Sequence, residues 1–178
     1  MRLRPYYGKS DYKFVEEWVK DKRVHALWSA GRLPCPLARE ALEEFLERDA
    51  AEWGGCAYTA TQEDGTPIGF FCYSVNAQDN AGFLKFILLD PELRGKGYGV
   101  RMIRLALEYA FEITGAEIVR LNVFHVNEAA LGCYRKAGFA AESVTEAAFV
   151  YGEEKWDRIC MAVSKDVKCG TGVLQNSI

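Results

Sequence analysis

Phe83-Leu84-Lys85-Phe86-Ile87-Leu88-Leu89-Asp90-Pro91-Glu92-Leu93-Arg94-Gly95-Lys96-Gly97-Tyr98-Gly99 leads from an apolar strand through a glycine loop into a helix. Phe86 to Leu89 is continuously apolar, so the strand from Gly82 to Leu89 reads as covered on both faces. Beyond Gly99, Ile103, Ala106, Leu107 and Ala110 recur at helical spacing to about Glu112, and Gly115 suits the left-handed turn that ends a helix. From Ile118 to Val126, Val119, Leu121 and Val123 alternate with Arg120, Asn122 and Phe124, the period of a strand. A strand, a crossover helix and a second strand predict a parallel pair.

The loop from Arg94 to Gly99 has a defined chemistry. The first amides of a helix have no partner inside it and carry partial positive charge. Alternate glycines let an anion approach the backbone, and Arg94 and Lys96 add charge. A diphosphate fits such a cradle. The Gly-x-x-x-x-Gly-Lys-Ser/Thr pattern of a P-loop is absent. A dinucleotide fingerprint fits poorly, because Gly97-x-Gly99-x-x ends on Met102 and strands, not alternating β/α units, precede the loop. A turn that holds no ligand is the plain alternative, although one glycine would suffice for it.

Working outward, residues 2–6 suit a first strand, and Ser10 suits the cap of a helix from Asp11 to Asp21 with Phe14, Val15, Trp18 and Val19 on one stripe. A second helix is predicted from Pro36 to Glu52. Cys56–Thr61 and Ile68–Val75 flank Glu63-Asp64-Gly65-Thr66-Pro67 and read as a hairpin. Glu128 to Ala137 suits a short helix closed by Gly138, and Ala140 to Lys165 two antiparallel strands turning near Gly152. The fold expected is a mixed α/β sheet, mostly antiparallel, with one splayed parallel pair and flanking helices. One domain is expected over residues 1–165, with a flexible tail over 166–178.

Composition narrows the function. The chain has 178 residues, 49% hydrophobic and 26% charged, with net charge −3. That balance suits a globular domain and not a disordered chain or a dedicated nucleic-acid binder. No apolar run approaches a membrane span of about 18 residues. Six cysteines lie at 35, 56, 72, 133, 160 and 169 without a Cys-x-x-Cys, and His25 and His125 are the only histidines. No metal site is expected, and scattered thiols read as reduced, mostly buried groups of a cytoplasmic protein.

Arg94-x-x-Gly97-x-Gly99 after an apolar strand and Asp90-Pro91, Leu121-x-Val123, Asn127-Glu128-x-Ala130 and Tyr134-x-Lys136-x-Gly138-Phe139 together resemble the acyl-CoA signature of the GNAT N-acyltransferase superfamily. The resemblance is strong from Phe83 to Phe139 and follows element order elsewhere. It implies acetyl-CoA as co-substrate, wedged between strands that end near Leu89 and Val126. The backbone of Ile87, Leu88 and Leu89 would pair with the pantetheine arm. Arg94, Gly95, Lys96, Gly97, Tyr98 and Gly99 would hold the pyrophosphate, and Asn127 would bond the arm while also suiting a helix cap. Tyr134 would be the general acid for the departing thiolate.

The base is left open. Asn122 stands where a subgroup that acetylates ribosomal-protein N-termini has a glutamate, and asparagine cannot take a proton at neutral pH. His125, His25 and Glu63 are weak candidates, and the amine can instead lose its proton to solvent. Trp28, Phe45, Tyr58 and Tyr73 could line an acceptor pocket or simply fill the core. The expected reaction is acetyl transfer to a primary amine of a small molecule or peptide by direct attack, with no nucleic acid or membrane partner. Oligomeric state is open, a homodimer being one arrangement. The alternatives are a non-catalytic acyl-CoA-binding or regulatory domain on the same scaffold, and a module that binds another nucleotide through the loop.

Overall fold

A computed structural model describes residues 1–76 and 78–168, and the side chains of Val167 and Lys168 are not described. Strand β1 is Arg2–Pro5, followed by helices α1 Gly8–Trp18, α2 Lys22–Ser29 and α3 Arg39–Trp53. Strands β2 Cys56–Thr61, β3 Pro67–Asn76 and β4 Ala81–Leu89 form a meander. A 3₁₀ turn at Pro91–Leu93 leads into α4, Tyr98–Glu108, which widens into a π-helical turn at Tyr109–Ile113. Then come β5 Ile118–Phe124, α5 Glu128–Lys136, β6 Ala140–Tyr151, β7 Glu154–Ser164 and the short turn α6, Lys165–Lys168.

The strands form one sheet in the order β1-β2-β3-β4-β5-β7-β6. β4 and β5 are parallel and the other neighbours antiparallel. Two cores sandwich the sheet. On one face Met102, Ile103, Ala106 and Leu107 of α4, and Leu131 and Tyr134 of α5, pack on Leu84, Val119, Leu121 and Met161. On the other, Val15, Trp18, Trp28, Leu42 and Phe45 of the first three helices pack on Phe70, Cys72, Phe86 and Leu88.

Several sequence expectations need correction. The first helix starts at Gly8 behind Tyr7, with no side-chain cap, so Ser10 lies inside it. It ends at Trp18, and Asp21 caps a separate helix by accepting from the Val24 amide at 2.8 Å. The helix expected from Pro36 begins at Arg39. α4 is regular to Glu108 and continues as the π-helical turn to Ile113, so helical backbone does reach Glu112 but in a wider form. β4 is not covered evenly on both faces: buried and half-buried residues alternate along it. Among the described residues the thiols are not mostly buried: Cys72 is buried, Cys133 and Cys160 are half-buried, and Cys35 and Cys56 are exposed. The tail expected over 166–178 lies outside the described residues from Cys169 on, and its start belongs to α6. Among the described residues no helix is long and apolar enough to cross a membrane.

A buried carboxylate ties the N-terminal strand to the helices. Asp11 accepts from both terminal nitrogens of Arg4 at 2.6 and 2.8 Å, from the Tyr7 amide at 3.0 Å and from Thr59 and Ser10 at 2.8 and 2.9 Å. Burial alone would raise its pKa, but these donors hold it well below the usual carboxylate range. A depressed folded pKa stabilises fully above the unfolded value of about 4, and the effect is lost as pH falls below it. Denaturant titrations should therefore show stability falling below about pH 4. Asp11→Asn should cost about 1–3 kcal/mol near neutrality and flatten that acid limb.

Candidate active site

Parallel pairing of β4 with β5 runs only from Ala81↔Ile118 to Leu84↔Leu121. Beyond it the strands part, leaving Lys85–Leu89 and Asn122–Phe124 unpaired with each other. The cause is one extra residue in β4. Phe70 pairs with Leu88 and Cys72 with Lys85, so three steps along β4 match two along β3. Phe86 sits in the bulge with φ +53°, a conformation that costs a bulky residue about 1–3 kcal/mol. Its carbonyl accepts from the Trp28 indole at 2.9 Å, and its ring packs on Trp28 and Phe45 at centroid distances of 5.6 and 4.6 Å. Lys85, paired with Asp49 of α3, holds the same stretch.

The fork opens into a cavity of about 510 Å³ that passes through the sheet. On one side its walls are Gly95, Gly97, Gly99, Cys133, Tyr134 and Lys136, with Ile87 and Leu89; on the other, Val24, Leu27 and Trp28 of α2. Arg94, Asn122, Val123 and Asn127 complete the wall where the strands diverge.

The loop presents its backbone to this cavity. Asp90 caps the 3₁₀ turn through the Glu92 amide at 2.9 Å. Gly97, at φ +83°, starts α4, and its carbonyl takes the Arg101 amide at 3.1 Å. The amides of Tyr98, Gly99 and Val100 are thus left for an external acceptor. A Cβ at Gly99 would lie 3.2 Å from Cys133 Sγ, so α4 and α5 meet closely there. Arg94 is exposed and donates to the Leu89 carbonyl at 3.4 Å, and partial desolvation lowers its pKa against the pull of Asp90 and Asp21. The Lys96 and Tyr98 side chains are not in the cavity wall. Tyr98 borders a separate recess with Met1, Glu63, Asp64 and Arg101, and that is also where Glu63 lies.

Asn127 caps α5 by accepting from the Ala130 amide at 3.2 Å, which leaves its amide nitrogen free to donate into the cavity. Tyr134 is 7% exposed, and its hydroxyl has no protein partner among the described residues. Burial raises its pKa, with Cys133 adding to the effect, so the phenol keeps its proton. Among the described residues Glu128, at the start of α5, is the one carboxylate in the wall. His125 is outside it, with Nδ1 accepting from the Asp157 amide at 2.8 Å. His25, itself on α2, is buried, and burial lowers its pKa against the opposing Pro34 carbonyl. Of the four candidate acceptor aromatics Trp28 lines the cavity. Phe45, Tyr58 and Tyr73 are packed in the two cores.

Residues 24–139 match the acetyltransferase (GNAT) family, and the chain belongs to that family. An uncharacterised N-acetyltransferase of Methanocaldococcus jannaschii is 33% identical over 114 residues, covering 61% of this chain and 48% of that protein. A peptidyl-lysine N-acetyltransferase of Escherichia coli is 33% identical over 89 residues, covering 50% of this chain and 52% of that one. The aligned stretch thus spans about half the length of these curated relatives. A crystal structure of spermidine N-acetyltransferase from Vibrio cholerae in complex with CoA and spermine superposes with a TM-score of 0.80. It covers 94% of this chain and 97% of its own at 20% identity, a likeness of fold.

Sequence reading missed the part played by α2, and Asp21 was the available signal: a cap three residues before Val24, with Leu27 and Trp28 on the following turn. Removing only the indole N–H tests how the fork is held. Trp28→Phe should lower stability by about 1–3 kcal/mol through the orphaned carbonyl of Phe86. Trp28→Ala should cost about 3–5 kcal/mol by adding a cavity, with urea midpoints falling at constant slope in both.

Proposed function

We propose that the protein transfers the acetyl group of acetyl-CoA to a primary amine by direct attack within a ternary complex. The fork carries this reading. Along one cavity it aligns an unpaired strand edge, three unbonded helix amides and a protonated phenol. A pantetheine arm is peptide-like and can pair with Ile87, Leu88 and Leu89 as an added strand. The amides that open α4, with Arg94, suit a pyrophosphate. The free amide nitrogen of Asn127 suits an arm carbonyl. The donor set and cavity therefore fit acetyl-CoA, and the described residues hold no cluster that could bind a metal.

In this mechanism α2 and β5 bring the amine to the thioester carbonyl, so proximity supplies much of the rate. An amide of the unpaired β4 edge polarises the carbonyl oxygen. The carbon–nitrogen bond forms, the carbon–sulfur bond breaks, and Tyr134 gives its proton to the departing sulfur. Asn122 can orient a water but cannot take a proton, so the amine loses its proton to solvent. Asn122 also favours the second reading, a domain that binds acyl-CoA without turnover.

Tyr134→Phe should lower kcat about a hundredfold or more while leaving CoA affinity within a few fold. Unchanged turnover would remove Tyr134 from the chemistry. CoA at 100 times its Kd should add about 2.7 kcal/mol to stability. Stabilisation by ATP or NAD instead would point to another nucleotide ligand, and CoA binding without thiol release from any amine to the second reading. Because folding raises the Tyr134 pKa, activity should climb with the acceptor's own deprotonation and show no alkaline fall from this phenol below about pH 10.

A further inference from the structure

Pairing register fixes which side chains share the face from which an acceptor must come. Residues opposite each other on neighbouring strands point the same way. Phe124 pairs with Arg158, Asn122 with Cys160 and Arg120 with Ala162. Phe124 packs with Trp156 and Ala26, so this row faces α2 and not α4 and α5. If CoA occupies the α4 and α5 side, the amine reaches the fork over this row, past Asn122.

The charges along the row are unequal. Arg120 is held by both oxygens of Glu142 at 2.8 and 2.9 Å. Lys85 is paired with Asp49. Arg158 is exposed, makes a single 3.4 Å bond to Thr145 Oγ1, and has no carboxylate partner among the described residues. Asp157, the adjacent acid, takes the Ala147 amide at 2.9 Å and lies beside His125. Arg158 stands diagonally across from Asn122, a separation of about 7–8 Å that an arginine side chain can bridge. Both Arg120 and Arg158 act on the Cys160 thiol, where burial is the main cause of its raised pKa and the two cations oppose it.

We infer that the acceptor is a small primary amine carrying a carboxylate, and that Arg158 binds that carboxylate. This rests on the acetyl-transfer reading. A guanidinium offers a planar pair of donors that matches a carboxylate, and its charge is uncompensated here. A polyamine would instead set a second ammonium against Arg158, a like-charge contact, since Glu142 is already taken by Arg120.

The test measures free thiol from acetyl-CoA with matched acceptors: glycine, β-alanine, 4-aminobutyrate and lysine, their primary amides, and spermidine. At least one acid should exceed its amide by about tenfold or more in kcat/KM. Arg158→Ala should bring that ratio toward one through a rise in KM for the acid, and Arg158→Lys should recover part of it. Amides or spermidine matching the acids would overturn the inference, as would equal losses for acid and amide in Arg158→Ala. Those outcomes leave acetyl transfer intact. CoA binding without thiol release from any of these amines overturns acetyl transfer itself, and the inference with it.

Discussion

The bond from the Trp28 indole to the Phe86 carbonyl holds the feature on which the site depends, the one-residue bulge of β4. Side chains alternate along a strand with period two, so one extra residue reverses which face all later residues occupy. Past the bulge Leu88 joins the core under α1, α2 and α3, and Ile87 packs toward α4. The same extra residue turns the strand away from β5 after Leu84, so a parallel pair that could have zipped to its end opens instead. The strain at Phe86 persists because two aromatic contacts and a buried hydrogen bond hold it there.

That opening gives the glycine loop its use. Helix amides on a closed sheet face only solvent, whereas here the start of α4 borders a cavity whose wall also includes Tyr134. Gly97 is needed for its left-handed turn and Gly99 for its closeness to α5. The positive end of α4 and the charge of Arg94 gather at one mouth. Ile87, Leu89 and Val123 add an apolar part to the cavity lining.

The second half of the chain was readable because its signals are local. Period-two alternation located β5, the helical stripe located α4, and the loop residues stood out by spacing alone. The bulge was invisible for a physical reason. Phe86-Ile87-Leu88-Leu89 is apolar at every position, so no change of parity could register in it. α2 was missed because neither glycine nor proline separates Trp18 from Lys22, so Asp21, which caps α2, reads equally well as the last residue of the helix before it. Arg158 was hidden too, since its significance lies in strand register across β5, β7 and β6, where partners are distant in sequence.

These long-range contacts also divide the molecule by task. Arg23 of α2 binds both oxygens of Glu154 at 2.5 and 2.9 Å and lies over the rings of Tyr151 and Trp156. Glu154 in turn accepts from the Trp156 indole at 2.8 Å. The helix that supports the bulge is thereby fastened to the β6–β7 hairpin that carries Arg158. α2 and the hairpin lie outside the β4–α4–β5–α5 unit, which supplies the glycine loop, Asn127 and Tyr134. A change of residue on α2 or the hairpin can therefore reshape what approaches the fork without touching the amides of α4. Trp28 joins α2 to the bulge twice over, through its bond to the backbone of Phe86 and its ring contact with the Phe86 side chain.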